Sequence, residues 1–418
     1  MATTVGNDLK QAPGAATPGP PADGTGHPEQ ARRGRHASAP SRRSTTWIVA
    51  AIALPRVATA FVTSALTERS AAVGTAGPSV RGPASGLLNW DAAHYLSIAQ
   101  YGYRSILDSP FLPGQPLTAH ALALVVGFPN AMIAVSWIAF VFAVWGIIDV
   151  ASRLSTRRGA IAAAVLFAWN PVSIFLVSGY AESLYIALTV WSLRFCLERR
   201  WLLAALLAGA ASSVVPQGAI AGVLVFVGIL ISEQGTRRFL KAIGYGVISE
   251  FGLIAYLIYS RLRFGNFIAF ETTLSTYWHD RLTYPFHSIV FDIQNVLPNY
   301  NAHTMLTTGT VIVLDIIAPI AAVGVLVVAL WKWTRDKAWT LPTLSYILGA
   351  ALSVCFIDGW GDGEARFITA LVTVWLVAAV ILERILRRHV GWVVGIVIVS
   401  AAIAVYLDAL YNDVYWII

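Results

Sequence analysis

Apolar residues fall in blocks of about 15 to 25 along most of this chain, and polar residues gather in the breaks between them, which is the pattern of successive membrane-crossing helices. The blocks predict spans over 47–66, 118–152, 159–178, 183–197, 201–214, 216–232, 243–262, 306–331, 339–357, 366–384 and 391–410, about eleven crossings. The 118–152 block exceeds the roughly 20 residues that a straight span needs, and Gly127-Phe128-Pro129 breaks it, so a short or re-entrant piece precedes the true span. The blocks on either side of Pro216-Gln217-Gly218 are short for a full crossing and read as thin or broken helices. The expected fold class is therefore all-α, a polytopic bundle with a large first loop from Thr67 to about Leu117 that contains interfacial helices.

Composition narrows this further. With 57% hydrophobic and 12% charged residues, the chain is too apolar for a soluble globule. Residues 1–45, rich in Gly, Pro, Ala, Ser and Thr, cannot bury enough apolar surface to fold and are expected to be a disordered cytoplasmic tail ahead of one membrane domain, 46–418. Arg56 interrupts the first apolar block and no small-residue cleavage pattern follows it, so an uncleaved span is expected there rather than a signal peptide. Cys196 and Cys355 both lie in apolar blocks, where packing explains them and no disulfide framework is suggested. With the N-terminus inside, twenty Lys and Arg residues fall on the inner face and seven outside, Arg56 and Arg194 lying within spans, which accounts for all 29. That bias explains the net charge of +7 as orientation, and nucleic-acid binding is not expected.

The unusual polar stretches then share the outer face: the first loop, the Tyr180-Ala181-Glu182 turn, Pro216–Gly218, the 263–305 loop and the segment from Asp358 to Arg366. Within the first loop, Asp91 and His94 lie on one face if the segment is helical, beside Trp90, Tyr95, Tyr101 and Tyr103. The same residues would also suit a plain interfacial helix in which Asp91 caps or faces water. A transporter would instead place ionisable residues along a central pathway near the midplane, and the charges noted within the spans are few, Arg56, Arg194, Glu250 and Asp315 among them. Trp278-His279-Asp280-Arg281 is a candidate acceptor-binding cluster. Asp358, Asp362 and Glu364 are of the type that holds a divalent ion, but glycine-rich turns favour such residues anyway, and no metal is expected. Neither a P-loop nor a dinucleotide fingerprint is present.

Trp90-Asp91-Ala92-Ala93-His94-Tyr95, followed by Ile98-Ala99-Gln100-Tyr101-Gly102-Tyr103, resembles the first-loop signature of the PIG-V-type (GPI mannosyltransferase 2-like) glycosyltransferases of the multi-span GT-C class. The resemblance continues through Phe111-Leu112-Pro113 with Pro116-Leu117, Asn170-Pro171 with Phe175, Tyr180-Ala181-Glu182-Ser183-Leu184-Tyr185, Phe264-Gly265-Asn266 and Arg366-Phe367. It departs where the family has Arg-Pro on its short central helices and this chain has Val215-Pro216; Asn266 also stands where an acid is common. The resemblance implies transfer of a sugar, typically mannose, from a polyprenyl-phosphate donor to a cell-envelope glycolipid, glycan or protein acceptor, on the non-cytoplasmic face and with no cofactor beyond that lipid-linked co-substrate. An inverting transfer needs a base for the acceptor hydroxyl, and Asp91 is the candidate. The expected substrate-binding residues are Trp90, His94, Tyr95, Tyr103, Glu182 and Arg366, with Arg366 at the lipid phosphate and His94 orienting Asp91 or donating to phosphate. A multi-span transporter, or a non-catalytic assembly subunit with the same fold, is the competing expectation.

Overall fold

Inside a bilayer every backbone N–H and C=O must find its partner within the chain, so each apolar block resolves into helix. The computed structural model describes residues 42–67, 80, 82–278, 283–299, 301–306, 308–355 and 363–412, and among these no β-sheet forms. The chain divides into Met1–Ser44 and Thr45–Ile418, the second being the helical bundle.

The principal helices are α1 (Arg42–Leu66), α2 (Asp91–Tyr101), α3 (Gly114–Val126), α4 (Phe128–Leu154), α5 (Arg157–Ala168), α6 (Glu182–Leu197), α7 (Trp201–Ser212), α8 (Ala219–Ser232), α9 (Arg237–Ser249), α10 (Phe251–Phe264), α11 (Thr308–Arg335), α12 (Thr340–Cys355), α13 (Glu364–Thr369), α14 (Val372–Leu386) and α15 (Val390–Asn412). By length and composition, four helices among the described residues can cross a membrane, Ser44–Leu66, Phe128–Leu154, Gly309–Arg335 and Val390–Asn412, and the pair α9 and α10, bent by 54°, makes a fifth if it counts as one span. The protein is a multi-pass membrane protein whose other apolar helices are shorter than that test requires. The central layer is α4, which packs on α3, α5 and α6; α14 closes against α5, and α7 against α6.

Three sequence boundaries shift. The span expected over 159–178 stops at Ala168, because Asn170-Pro171 turns the chain: Asn170 Nδ2 donates to the Phe167 carbonyl at 2.7 Å and Oδ1 accepts from the Val172 amide at 3.1 Å. The 243–262 span breaks at Glu250. The 366–384 span divides into α13 and α14, and Trp375 Nε1 donates at 2.8 Å to the Thr369 carbonyl freed by the break.

Of the charges that the sequence places within spans, Arg56, Arg194 and Asp315 find partners, whereas Glu250 Oε2 is buried without a hydrogen-bond partner among the described residues. Arg56 and Asp408 are wholly buried and bidentate, both N···O distances being 2.7 Å, and Arg56 Nε also donates to Ser173 Oγ at 3.0 Å. Arg194 meets Asp149 and Glu198. Asp315 accepts from the Ala365 amide at 2.8 Å and the Gly363 amide at 3.4 Å.

Candidate active site

The site begins where the chain turns into α2. Trp90, just before it, takes φ +57°, a conformation that costs a non-glycine residue about 1–3 kcal/mol and that recurs at functional sites. The turn puts Asp91 at the first position of α2, where its amide donates to Tyr180 Oη at 3.2 Å. Tyr180 is held in turn by its backbone: Gln115 Nε2 donates to Ser136 Oγ at 3.1 Å, and that hydroxyl donates to the Tyr180 carbonyl at 3.0 Å. Gln115, within the Pro113–Pro116 motif, thus serves the frame of the site.

Arg366 arrives from the far end of the chain. Gly363 adopts φ +104°, a left-handed conformation that a side chain would strain, and Asp315 grips the amides of Gly363 and Ala365, so the short α13 is fixed at its start. The Arg366 guanidinium then lies 3.0 Å from Asp91 Oδ2 through Nη1 and 3.4 Å from Glu182 Oε1 through Nε. Three rings surround it, with Cζ at 5.3 Å from the centroid of Phe175, 5.5 Å from Tyr180 and 4.8 Å from Phe367. Arg366 is 11% exposed, Glu182 13% and Asp91 26%, so the cluster is sheltered but Asp91 can still meet a ligand. Glu182 Oε2 is buried with no hydrogen-bond partner. One cation therefore faces two carboxylates in a ring-lined pocket, an arrangement able to bind an anion at the arginine and to accept a proton at a carboxylate.

The predicted site residues separate into two groups. Asp91, Glu182 and Arg366 come together, and Tyr95, 7% exposed, sits close enough to feel all three. Burial first, then Glu182 and Asp91, pushes the Tyr95 phenol well above its ordinary value, leaving a neutral hydroxyl. Trp90 shapes the turn. His94 is not the orienter of Asp91 that its spacing suggested: its ring stacks on Phe111 at 4.5 Å, and Nδ1 lies 3.6 Å from Asp108 Oδ1. Tyr103 is turned away as well, its hydroxyl donating to the Phe111 carbonyl at 2.6 Å and its ring packing among Tyr256, Tyr259 and Phe264. Both residues hold the loop together: His94 from α2 and Tyr103 from just past its end each pack on Phe111 or bond to its carbonyl. Sequence reasoning passed over Tyr180 and Phe175 as site residues, although both lie in the motifs it quoted. Among the described residues no group of three or more His, Cys, Asp or Glu is placed to hold a metal. Asp358 and Asp362, and His279 to Arg281, lie outside the described residues.

On the membrane side an apolar cavity of about 720 Å³ runs between α3, α4, α6 and α7, from Thr118 and Leu184 down to Phe195 and Leu207. Its wall on α6 starts two residues beyond Glu182.

The multi-span helical bundle has a GT-C-like fold. The fold is similar to ArnT from Cupriavidus metallidurans in the apo state, with a TM-score of 0.50 and 13% identity over 88% of this chain and 77% of that one. The structure of that protein bound to undecaprenyl phosphate matches equally, at a TM-score of 0.50 over 87% and 77%. The chain belongs to the Mannosyltransferase (PIG-V) family, whose family model matches residues 46–267. Similar proteins include GPI alpha-1,6-mannosyltransferase 2 of Mus musculus, 30% identical over 178 residues that make up 40% of this chain and 35% of that protein. The Homo sapiens protein of the same name is 32% identical over 173 residues, 37% of this chain and 33% of that one. The matched stretch thus spans about a third of these relatives' length.

Proposed function

We propose that this protein is an integral-membrane mannosyltransferase that moves mannose, with inversion, from a polyprenyl-phosphate donor to a cell-envelope glycolipid, glycan or protein acceptor on the non-cytoplasmic face. The observation that carries this reading is the meeting of Asp91, Glu182 and Arg366, far apart in sequence, in one sheltered cluster within a chain of this family.

Arg366 is the donor-phosphate ligand in this reading. A phosphate entering beside the guanidinium competes for the N–H that Asp91 now accepts, so donor binding itself frees the carboxylate. Asp91 then takes the proton of the acceptor hydroxyl as its oxygen attacks the anomeric carbon from the face opposite the phosphate. The bond from that carbon to the phosphate oxygen breaks, its electrons leave with polyprenyl phosphate, and Arg366 stabilises the charge that develops. In this reading Glu182, with one oxygen unpaired, and the neutral Tyr95 hydroxyl bind sugar hydroxyls. The apolar groove along α6, lined by aliphatic and aromatic side chains, in the same reading receives the prenyl chain of the donor. The Asn170-Pro171 and Phe111–Pro116 segments act as frame rather than as ligands.

The test is incubation of purified protein with labelled polyprenyl-phosphate-mannose and envelope extract. Transfer is expected for the wild type and a loss of about 10²- to 10⁴-fold for Asp91→Asn, with the variant still folded and inserted. Retained turnover in Asp91→Asn would remove the carboxylate from the reaction.

A further inference from the structure

The last helix reaches the site through a contact that the motifs do not include. Asn89, immediately before the strained Trp90, is 1% exposed, and Tyr411 near the end of α15 is wholly buried. The two bind reciprocally: Asn89 Nδ2 donates to the Tyr411 carbonyl at 3.2 Å, and Tyr411 Oη donates to the Asn89 carbonyl at 2.9 Å. The helix lies so close here that a Cβ on Gly86 would sit 2.2 Å from Asn412 Oδ1. The Tyr411 ring also meets Phe175 edge-on at 6.2 Å and Tyr180 at 6.2 Å, and these are two of the three rings around Arg366. Tyr180 in turn accepts the Asp91 amide.

We propose that Asn89 and Tyr411 are positioning residues of the site: their pair ties α15 to the backbone two residues ahead of Asp91, and Tyr411 braces the rings that hold Arg366, so that base and phosphate ligand keep one mutual geometry. The physical argument is the order of contacts. Tyr411 touches the main chain that aims Asp91 and the aromatic wall that aims Arg366, while the carboxylate and the guanidinium come from segments 275 residues apart, with no local link between them. A bidentate pair between Arg56 of α1 and Asp408, one turn before Tyr411, anchors that end of α15 without approaching Asp91. Asn412 does likewise through Thr63 and the Asp408 carbonyl. Stability alone would need only those anchors; the reciprocal pair adds a fixed register at Asn89.

The proposal rests on Asp91 being the base, and the experiment separates the two. Full-length protein in lipid nanodiscs is compared as wild type, Tyr411→Phe, which removes one hydroxyl and keeps the ring, and Asn412→Ala, which removes the contacts of the same helix end with Thr63, Asp408 and Gly86 and leaves both Asn89–Tyr411 bonds in place. With polyprenyl-phosphate-mannose as donor, Tyr411→Phe is expected to lower kcat about tenfold while KM for the donor stays within about twofold, and Asn412→Ala to leave both in place. Asn89→Ala, which cuts the reciprocal bond, is expected to reproduce the kcat loss. In parallel, each change is made with Asp91→Cys, and alkylation of that thiol by a maleimide, corrected for the wild-type background, is followed with no substrate present. Tyr411→Phe is expected to speed it several-fold and Asn412→Ala to leave it unchanged. Equal kcat and equal alkylation in Tyr411→Phe overturn the proposal, as does a parallel loss in Asn412→Ala. Should wild type transfer nothing, the mannosyltransferase reading fails, and the alkylation rates alone decide on positioning.

Discussion

Arg366 sits between two carboxylates, which sets how its removal must be read. Arg366→Ala would leave Asp91 and Glu182 facing one another without a cation, and loss of one partner from a buried charge cluster costs on the order of 3–5 kcal/mol. Low activity in that variant would therefore confuse unfolding with lost catalysis. Arg366→Lys keeps the charge but offers a point ammonium in place of the fork that spans both carboxylates and a phosphate. We expect Arg366→Lys to insert and fold normally, measured by its thermal unfolding, and to lose about 10²- to 10³-fold in transfer; transfer within a few-fold of wild type would remove the guanidinium from the reaction. Asp108 makes a residue-scale prediction on pH. Burial opposes its charge, but His94 and the amides of Ser105 and Arg104 outweigh this and hold the carboxyl below its ordinary value. A carboxyl lowered by folding contributes stability that is present above its unfolded value, about 4, and is lost as pH falls through the lower folded value. The melting difference between wild type and Asp108→Asn should therefore be full at pH 7 and shrink below about pH 4; a difference independent of pH would contradict it.

Among the elements, α1 and α15 are joined by the most demanding contact in the bundle. Arg56 and Asp408 are both 0% exposed, so each depends on the other for its charge. Asp408→Asn should lower stability by about 3–5 kcal/mol, because Arg56 would remain buried without a counter-charge. The double change Arg56→Met with Asp408→Leu removes both charges and should recover much of that loss, read as the unfolding midpoint in detergent. A double variant no better than the single would show that the pair does more than neutralise itself. The breaks between elements matter equally. Had α5 continued through 178 as its hydrophobicity suggests, Phe175 would have been carried on along its axis; Asn170-Pro171 stops it, and the chain turns back through the short helix Ile174–Val177, which brings Phe175 to the wall of the site.

Over the whole molecule, orientation follows from the charge bias, which predicts that the first loop faces away from the cytoplasm. Arg104 and Thr334 are both exposed and lie at opposite ends of that topology. In intact cells, a cysteine at 104 is expected to react with an impermeant thiol reagent and one at 334 to be protected until the membrane is opened. The reverse pattern would turn the molecule over and place the site on the cytoplasmic face, where a nucleotide sugar rather than a lipid-linked donor would be within reach.

The sequence by itself determined the helical class, because the bilayer leaves backbone groups no partner but their own segment, and an apolar block therefore means helix whatever packs around it. It also marked Asp91, by its place in the polar, aromatic first loop, and, through the resemblance of the Tyr180–Tyr185 and Arg366-Phe367 segments to family motifs, Glu182 and Arg366. Spacing could not choose among partners. His94 follows Asp91 by three positions and promised to orient it, yet a face shared on α2 says nothing of what that face meets, and packing gave His94 to Phe111 and Asp108. Tyr103 belongs to the same motif but lies past the end of α2, and packing gave it to Tyr256 and Phe264. Only the tertiary structure could bring Arg366 to Asp91 and Tyr411 to Asn89, because those pairs span 275 and 322 residues and are set by how short, broken helices stack, a property no window of sequence contains.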